Sequence, residues 1–148
     1  MKVKVMFARF PFGRSEDPAV ADWLIPTVLK AKADPRIGED NVLHVRVDDT
    51  PITMSRNRAM LAAKQQGVDI LCMIDSDMQP DLPGQRPFWD TSLDFMLRHE
   101  GPCVVAAPYC GPPPYEAVYV FRWARAETDH PNADMRLEMY GREDALVR

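Results

Sequence analysis

The chain has 148 residues, enough for one domain around a single hydrophobic core, and its 46% apolar and 27% charged composition is that of an ordinary globular protein. Eighteen Lys and Arg against 22 Asp and Glu give a net charge of −4, and basic residues cluster no further than Arg56 and Arg58. Nucleic acid and anionic membranes are therefore poor candidate partners. No run is long or apolar enough for a membrane span, and the first six residues are too short for a signal peptide. Cys72, Cys103 and Cys110 form neither a disulfide framework nor a metal-ligand spacing, and His44, His99 and His130 are scattered, so reduced thiols in a cytoplasm are expected.

In chain order, Val3 to Ala8 reads as a first strand, ending in the loop Arg9-Phe10-Pro11-Phe12-Gly13-Arg14. Asp17-Pro18 is a helix start, with the carboxylate as N-cap and Pro at the first helical position. Val20, Trp23, Leu24, Val28 and Ala31 follow at helical spacing, interrupted by Pro26. Leu43, Val45 and Val47 alternate with polar residues as a second strand, ending at Asp48-Asp49-Thr50-Pro51. Thr53 or Ser55 can cap a second helix, which Gly67 stops. Val68 to Ile74 is a run broken only by Asp69, the pattern of a central parallel strand covered on both faces. A third helix spans about Trp89 to His99, with Leu93, Met96 and Leu97 facing inward. Val104-Val105-Ala106-Ala107 reads as a further buried strand, and Val118 to Trp123 as another. Beyond Ala126 the pattern weakens, with room for a terminal helix. The alternation of strand and helix predicts an α/β fold with a mainly parallel twisted sheet flanked by helices.

In such sheets ligands sit beyond the carboxyl ends of the strands, where Arg9-Phe10, Asp48-Asp49 and Asp75-Ser76-Asp77 all fall. Asp75 and Asp77 are two apart, so on extended chain their carboxylates share a side and suit Mg²⁺ or Mn²⁺. Without a cation they would repel a diphosphate, at about 4 kcal/mol per like-charge pair ~4 Å apart in an effective dielectric near 20. The plainer reading of these two residues is a solvated turn. Arg56 and Arg58 are expected in the first turn of the second helix, where positive charge opposes the macrodipole unless an anion binds there. The alternative is that they pair with Asp48 and Asp49. Those two acids could instead accept hydrogen bonds from a ribose or base. Phe10 is either a stacking surface for a base or a core aromatic. There is no Gly-x-Gly-x-x-Gly or Walker-type loop, so metal and arginine would have to hold phosphate.

Taken together, Val47-Asp48-Asp49-Thr50, Ser55-Arg56-Asn57-Arg58 and Ile70 to Met78 with its Asp75-Ser76-Asp77 resemble the GT-A glycosyltransferases, closest to the family 2-like members, including phage-type ones. The resemblance covers about residues 1–108. It implies a donor-binding domain over residues 1–126 and an incomplete acceptor region over residues 127–148. It further implies Mn²⁺ or Mg²⁺ on Asp75 and Asp77, and a UDP- or GDP-sugar held by Arg9, Phe10, Pro11, Asp48, Asp49, Arg56, Asn57, Arg58, Asp75 and Ser76. The acceptor is unspecified. The link from Asp49 to Arg56 is shorter than the family's. Glu143-Asp144 carries the letters of the family's catalytic Glu-Asp pair, but a solvated helix-start pair suits its surroundings better, and no other base is named. A truncated product, or completion by another chain or a second copy, is expected on this reading. Two rivals stand beside it: a non-catalytic nucleotide-binding module, and a nucleotidyltransferase that would release pyrophosphate.

Overall fold

The structure is a computed structural model that describes residues 2–11, 17–48, 51–78, 80–81, 84–107, 121–125 and 135–139. The chain divides into two compact units, Met1–Arg98 and His99–Arg148. The first is α/β: strand β1 (Val5–Phe10), helix α1 (Pro18–Ala33), β2 (Val42–Arg46), α2 (Ile52–Gln65), β3 (Ile70–Asp75) and α3 (Phe88–Arg98). Its strands form a wholly parallel sheet in the order β2-β1-β3. Parallel neighbours need crossovers, and α1 and α2 provide them. No helix among the described residues is long and apolar enough to cross a membrane.

Burial divides along β1 with the two-residue period of a strand. Val5 and Phe7 pack with Val20, Trp23, Leu24 and Ala31 of α1 and Trp89 and Leu93 of α3. Ala8 and Phe10 pack on the other face with Ala59 of α2. The rings of Phe7 and Trp89 lie 4.9 Å apart at 51°, a tilted pair worth about 0.5–1.5 kcal/mol beyond its buried area. On its own inner side α2 buries only Ser55, Ala59 and Ala63, each one turn after the last, so small side chains set its seat on the sheet.

Helix α1 starts as its sequence predicts: the Asp17 carboxylate accepts the Ala19 N–H at 2.9 Å, with Pro18 at the first helical position. It also runs unbroken through Pro26. Proline deprives the Asp22 carbonyl of its helical donor, but Asp22 and Pro26 both lie on the exposed side, where water can serve that carbonyl. Helix α3 is likewise capped from a distance, the Asp81 carboxylate accepting the Phe88 N–H at 2.7 Å.

Four expectations change. The central strand is β1, whose Val5 to Ala8 are at most 1% exposed, whereas β3 borders the three-stranded sheet. An apolar run reports that helices cover a strand's faces; it carries no information about its edges. Asp69, the polar break in that run, fixes the start of β3 by accepting the Lys4 N–H at 2.8 Å. Helix α2 begins at Ile52 after Pro51, so neither Thr53 nor Ser55 caps it, and Ser55 is buried within the helix. Leu97 of α3 is exposed, while Leu93 is buried and Met96 packs against the core. Finally, residues 102–107 are in neither helix nor strand, and Val104 is 95% exposed. Apolar sequence permits a strand, but a strand forms only with a hydrogen-bonding neighbour, and β3 is registered with β1 alone among the described strands.

In the second unit β4 (Phe121–Arg125) pairs antiparallel with β5 (Met135–Met139), Trp123 opposite Leu137. A strand therefore occupies part of the segment expected to be weakly patterned. The rest of the expected strand from Val118, and Glu143-Asp144, lie outside the described residues.

Candidate functional site

Because the three strands of the first unit are parallel, all their carboxyl ends reach one edge of the sheet. The register sets Arg9 beside both Arg46 and Ile74, and Phe10 beside Asp75. The Val47 N–H donates to the Arg9 carbonyl at 3.0 Å, so β2 stays alongside β1 to that edge. From β1 the chain crosses to β2 on one side, then returns past β1 to β3 on the other. The reversal opens a switch point between β1 and β3, the place where open α/β sheets take ligands. Pro11 leaves β1 there, and Asp75-Ser76-Asp77 leaves β3.

Asp75 ends β3, and Ser76 and Asp77 turn back sharply, with the Met78 N–H 3.4 Å from the Asp75 carbonyl. The alternation rule thus stops at Asp75, and the same-side argument for the two carboxylates does not carry over the turn. Asp77 is exposed. The Ser76 carbonyl accepts the Asp17 N–H at 2.9 Å, which holds the amino end of α1 against this turn. The Asp17-Pro18 pair signals a helix start in sequence, but its place beside Ser76 depends on the crossover and has no local sequence signal.

Asp75 has a specific partner. Arg56 Nη2 donates to Asp75 Oδ1 at 3.0 Å and Oδ2 at 2.9 Å, with both side chains a little under half exposed. Alternation explains the meeting. In β3, Ile70 and Ile74 face α1 and α3, Leu71 faces α2, and Asp75, one residue past Ile74, falls on the α2 side. Arg56 stands four residues beyond Ile52, a full turn into α2, and Arg58 is farther still. Neither is in the first turn, where the macrodipole acts, so the expected clash with the dipole is absent. What holds Arg56 is Asp75, not Asp48. Asp48 is taken by Arg46, whose Nε donates to its two oxygens at 2.9 and 2.8 Å. Asn57 and Arg58 are exposed on α2, and Arg58 has interactions of its own. Asp49 lies outside the described residues.

Phe10 is 3% exposed and packs with Ala59 beneath α2, the core alternative of the two that the sequence left open. Pro11 is buried beside it, and Arg9 is half-buried. The thiol of Cys72 packs on the α1 face, where burial pushes it up to about 12, so it stays protonated and inert at neutral pH. A separate cavity of about 400 Å³ runs along α1 and is lined by Asp22, Trp23, Thr27, Lys30, Asp81 and neighbouring prolines. It includes none of the residues named from sequence as donor or metal ligands.

Among the described residues no three His, Cys, Asp or Glu side chains converge as a metal cage. Asp75 and Asp77 are two carboxylates on either side of Ser76, and the first is paired with Arg56. Mg²⁺ and Mn²⁺ keep several waters and use one or two protein carboxylates with substrate phosphates, so two acids here fit that chemistry without forming a complete cage. Set against known proteins, the chain matches no family model, no curated protein and no solved structure.

Proposed function

We propose that the unit Met1–Arg98 binds a nucleoside-diphosphate sugar with a divalent cation, and that the protein is a GT-A-type glycosyltransferase. The observation that carries the reading is the acidic turn Asp75-Ser76-Asp77 at the β1/β3 switch point, with the guanidinium of Arg56 at its side. Asp75 and Asp77 would hold Mg²⁺ or Mn²⁺, which supplies neutralisation of the diphosphate as it leaves the sugar. Arg56 and Arg58 grip phosphate oxygens with their planar forks. Asn57, exposed on the same helix, and Ser76 offer hydrogen bonds to the diphosphate, and Asp48 accepts from ribose or base once Arg46 yields. Arg9 and Pro11 frame the base, and Phe10 supports that wall from within the core. A reducing cytoplasm goes with the free thiols of Cys72 and Cys103.

The test is thermal unfolding with UDP or GDP, in Mn²⁺ and in EDTA. Nucleotide at about 100 times its Kd should add about 2.7 kcal/mol of stability in Mn²⁺ and little in EDTA. Asp75→Asn and Asp77→Asn should each remove most of the Mn²⁺-dependent shift and leave the unliganded melting curve within a few degrees. Equal stabilisation in EDTA would remove the cation from the reading.

A further inference from the structure

The Arg56–Asp75 pair sits where the proposed donor site needs both residues for other partners. Both oxygens of Asp75 face the same Arg56 nitrogen, at 3.0 and 2.9 Å, so a cation arriving alone meets a carboxylate already neutralised by a guanidinium. The pair is nonetheless ready to part. Its side chains are 46% and 42% exposed, and an exposed ion pair is held only weakly against water. The flanking residues Ser55 and Ala59 are buried, so the root of Arg56 is fixed while its long side chain can swing in solvent. Asp77, one residue past Ser76, is exposed.

Resting on the donor-site reading above, we propose that Arg56 and Asp75 form an exchange switch that couples cation binding to nucleotide binding. In the free protein Arg56 occupies Asp75 and disfavours a lone divalent cation. When cation and diphosphate arrive together, Asp75 turns to the cation and Arg56 moves to the diphosphate, so neither charge is left unpaired. The nucleotide removes the competitor and adds phosphate ligands, and by linkage the cation promotes nucleotide binding by the same factor. The site therefore discriminates against metal alone and against nucleotide alone.

Arg56→Ala separates the two halves of the switch because its effects have opposite signs. Mn²⁺ binding is read by the EPR signal of free ion, without nucleotide and with saturating UDP or GDP. The nucleotide's own Kd is read by calorimetry in Mn²⁺. Arg56→Ala should tighten binding of Mn²⁺ alone by roughly five- to tenfold, since it frees Asp75 and removes a nearby positive charge. It should weaken nucleotide binding in Mn²⁺ by about tenfold or more, since a charged phosphate contact is lost. Arg98→Ala, the same charge change at the end of α3, should alter neither. If Arg56→Ala leaves Mn²⁺ alone unchanged or weakened while the wild type binds Mn²⁺ with nucleotide, the switch is wrong and the donor site stands. If the wild type binds no Mn²⁺ even with either nucleotide, the donor site falls and the switch falls with it.

Discussion

At the scale of single residues, charge partners decide what each acid can do. Asp94 receives two of them: Arg36 donates to Oδ1 at 2.7 Å, and Arg86 donates to Oδ2. Hydrogen bonds from Arg36, then Arg86, hold the Asp94 carboxyl down at about 2. Arg36 also lowers Asp34 through a side-chain hydrogen bond, and the two carboxylates hold its guanidinium firmly protonated. A carboxylate with a lowered folded pKa stabilises the fold above its ordinary value near 4 and stops doing so as pH falls through the folded value. Asp94→Asn should therefore lower Tm at pH 7, with the gap to wild type closing between about pH 4 and pH 2. Thermal melts across that range check it, and a gap that is constant from pH 7 to pH 2 would assign the loss to packing. Asp75 belongs to the same scale. Its letter and its place after an apolar run were legible in the sequence, but its partner was not. A side chain on α2 meets a strand end only through the crossover, and nothing near Asp75 in sequence announces Arg56.

At the scale of elements, local rules succeeded where the chain signals to itself. Asp17-Pro18 starts α1, and of the three α3 residues expected inward Leu93 and Met96 reach the core while Leu97 does not. They failed where an end is set without a side-chain signal: α2 starts after Pro51, whose extended backbone and fixed φ suffice, with no hydroxyl cap. That one-turn difference moved Arg56 out of reach of the macrodipole and into reach of Asp75. The seat of α2 gives a direct test. Ala59 is fully buried between the helix and Ala8 and Phe10, so added methylenes have nowhere to go without lifting the helix. Ala59→Leu should cost about 1–3 kcal/mol. Each of those should lower Tm by roughly 4–8 °C if the 98-residue unit unfolds by itself. Calorimetry reads the change, and an unchanged Tm would mean that α2 packs less tightly than its row of small residues implies. Ala62→Leu, at a half-buried position on the same helix, should cost less.

At the scale of the whole chain, alternating patterns made the α/β class and the parallel sheet legible, because periodicity reports which faces are covered. The order β2-β1-β3 and the edge position of β3 were not legible, since edge pairing depends on which strands meet. The same reason explains Val104 to Ala107, an apolar run with no regular structure. The unit Met1–Arg98 nevertheless contains a core on each face of its sheet, every crossover that its strands need, and the acidic turn with its arginine. A fragment of residues 1–98 should therefore fold alone and unfold in one cooperative transition, with calorimetric and van't Hoff enthalpies in agreement. Its ΔCp should be about 1.2–1.5 kcal/mol/K, the value for a fully folded domain of that length. It should also keep the Mn²⁺-dependent shift with UDP or GDP seen for the full chain, because every described residue assigned to the donor falls within it. Among the described strands β3 lies at the edge of the sheet, and Met73 on its face is 39% exposed, so association at high concentration is the expected failure and the measurement belongs at low micromolar protein. A broad, non-cooperative melt in dilute solution would show that residues 99–148 complete the core, and that the two compact units fold as one.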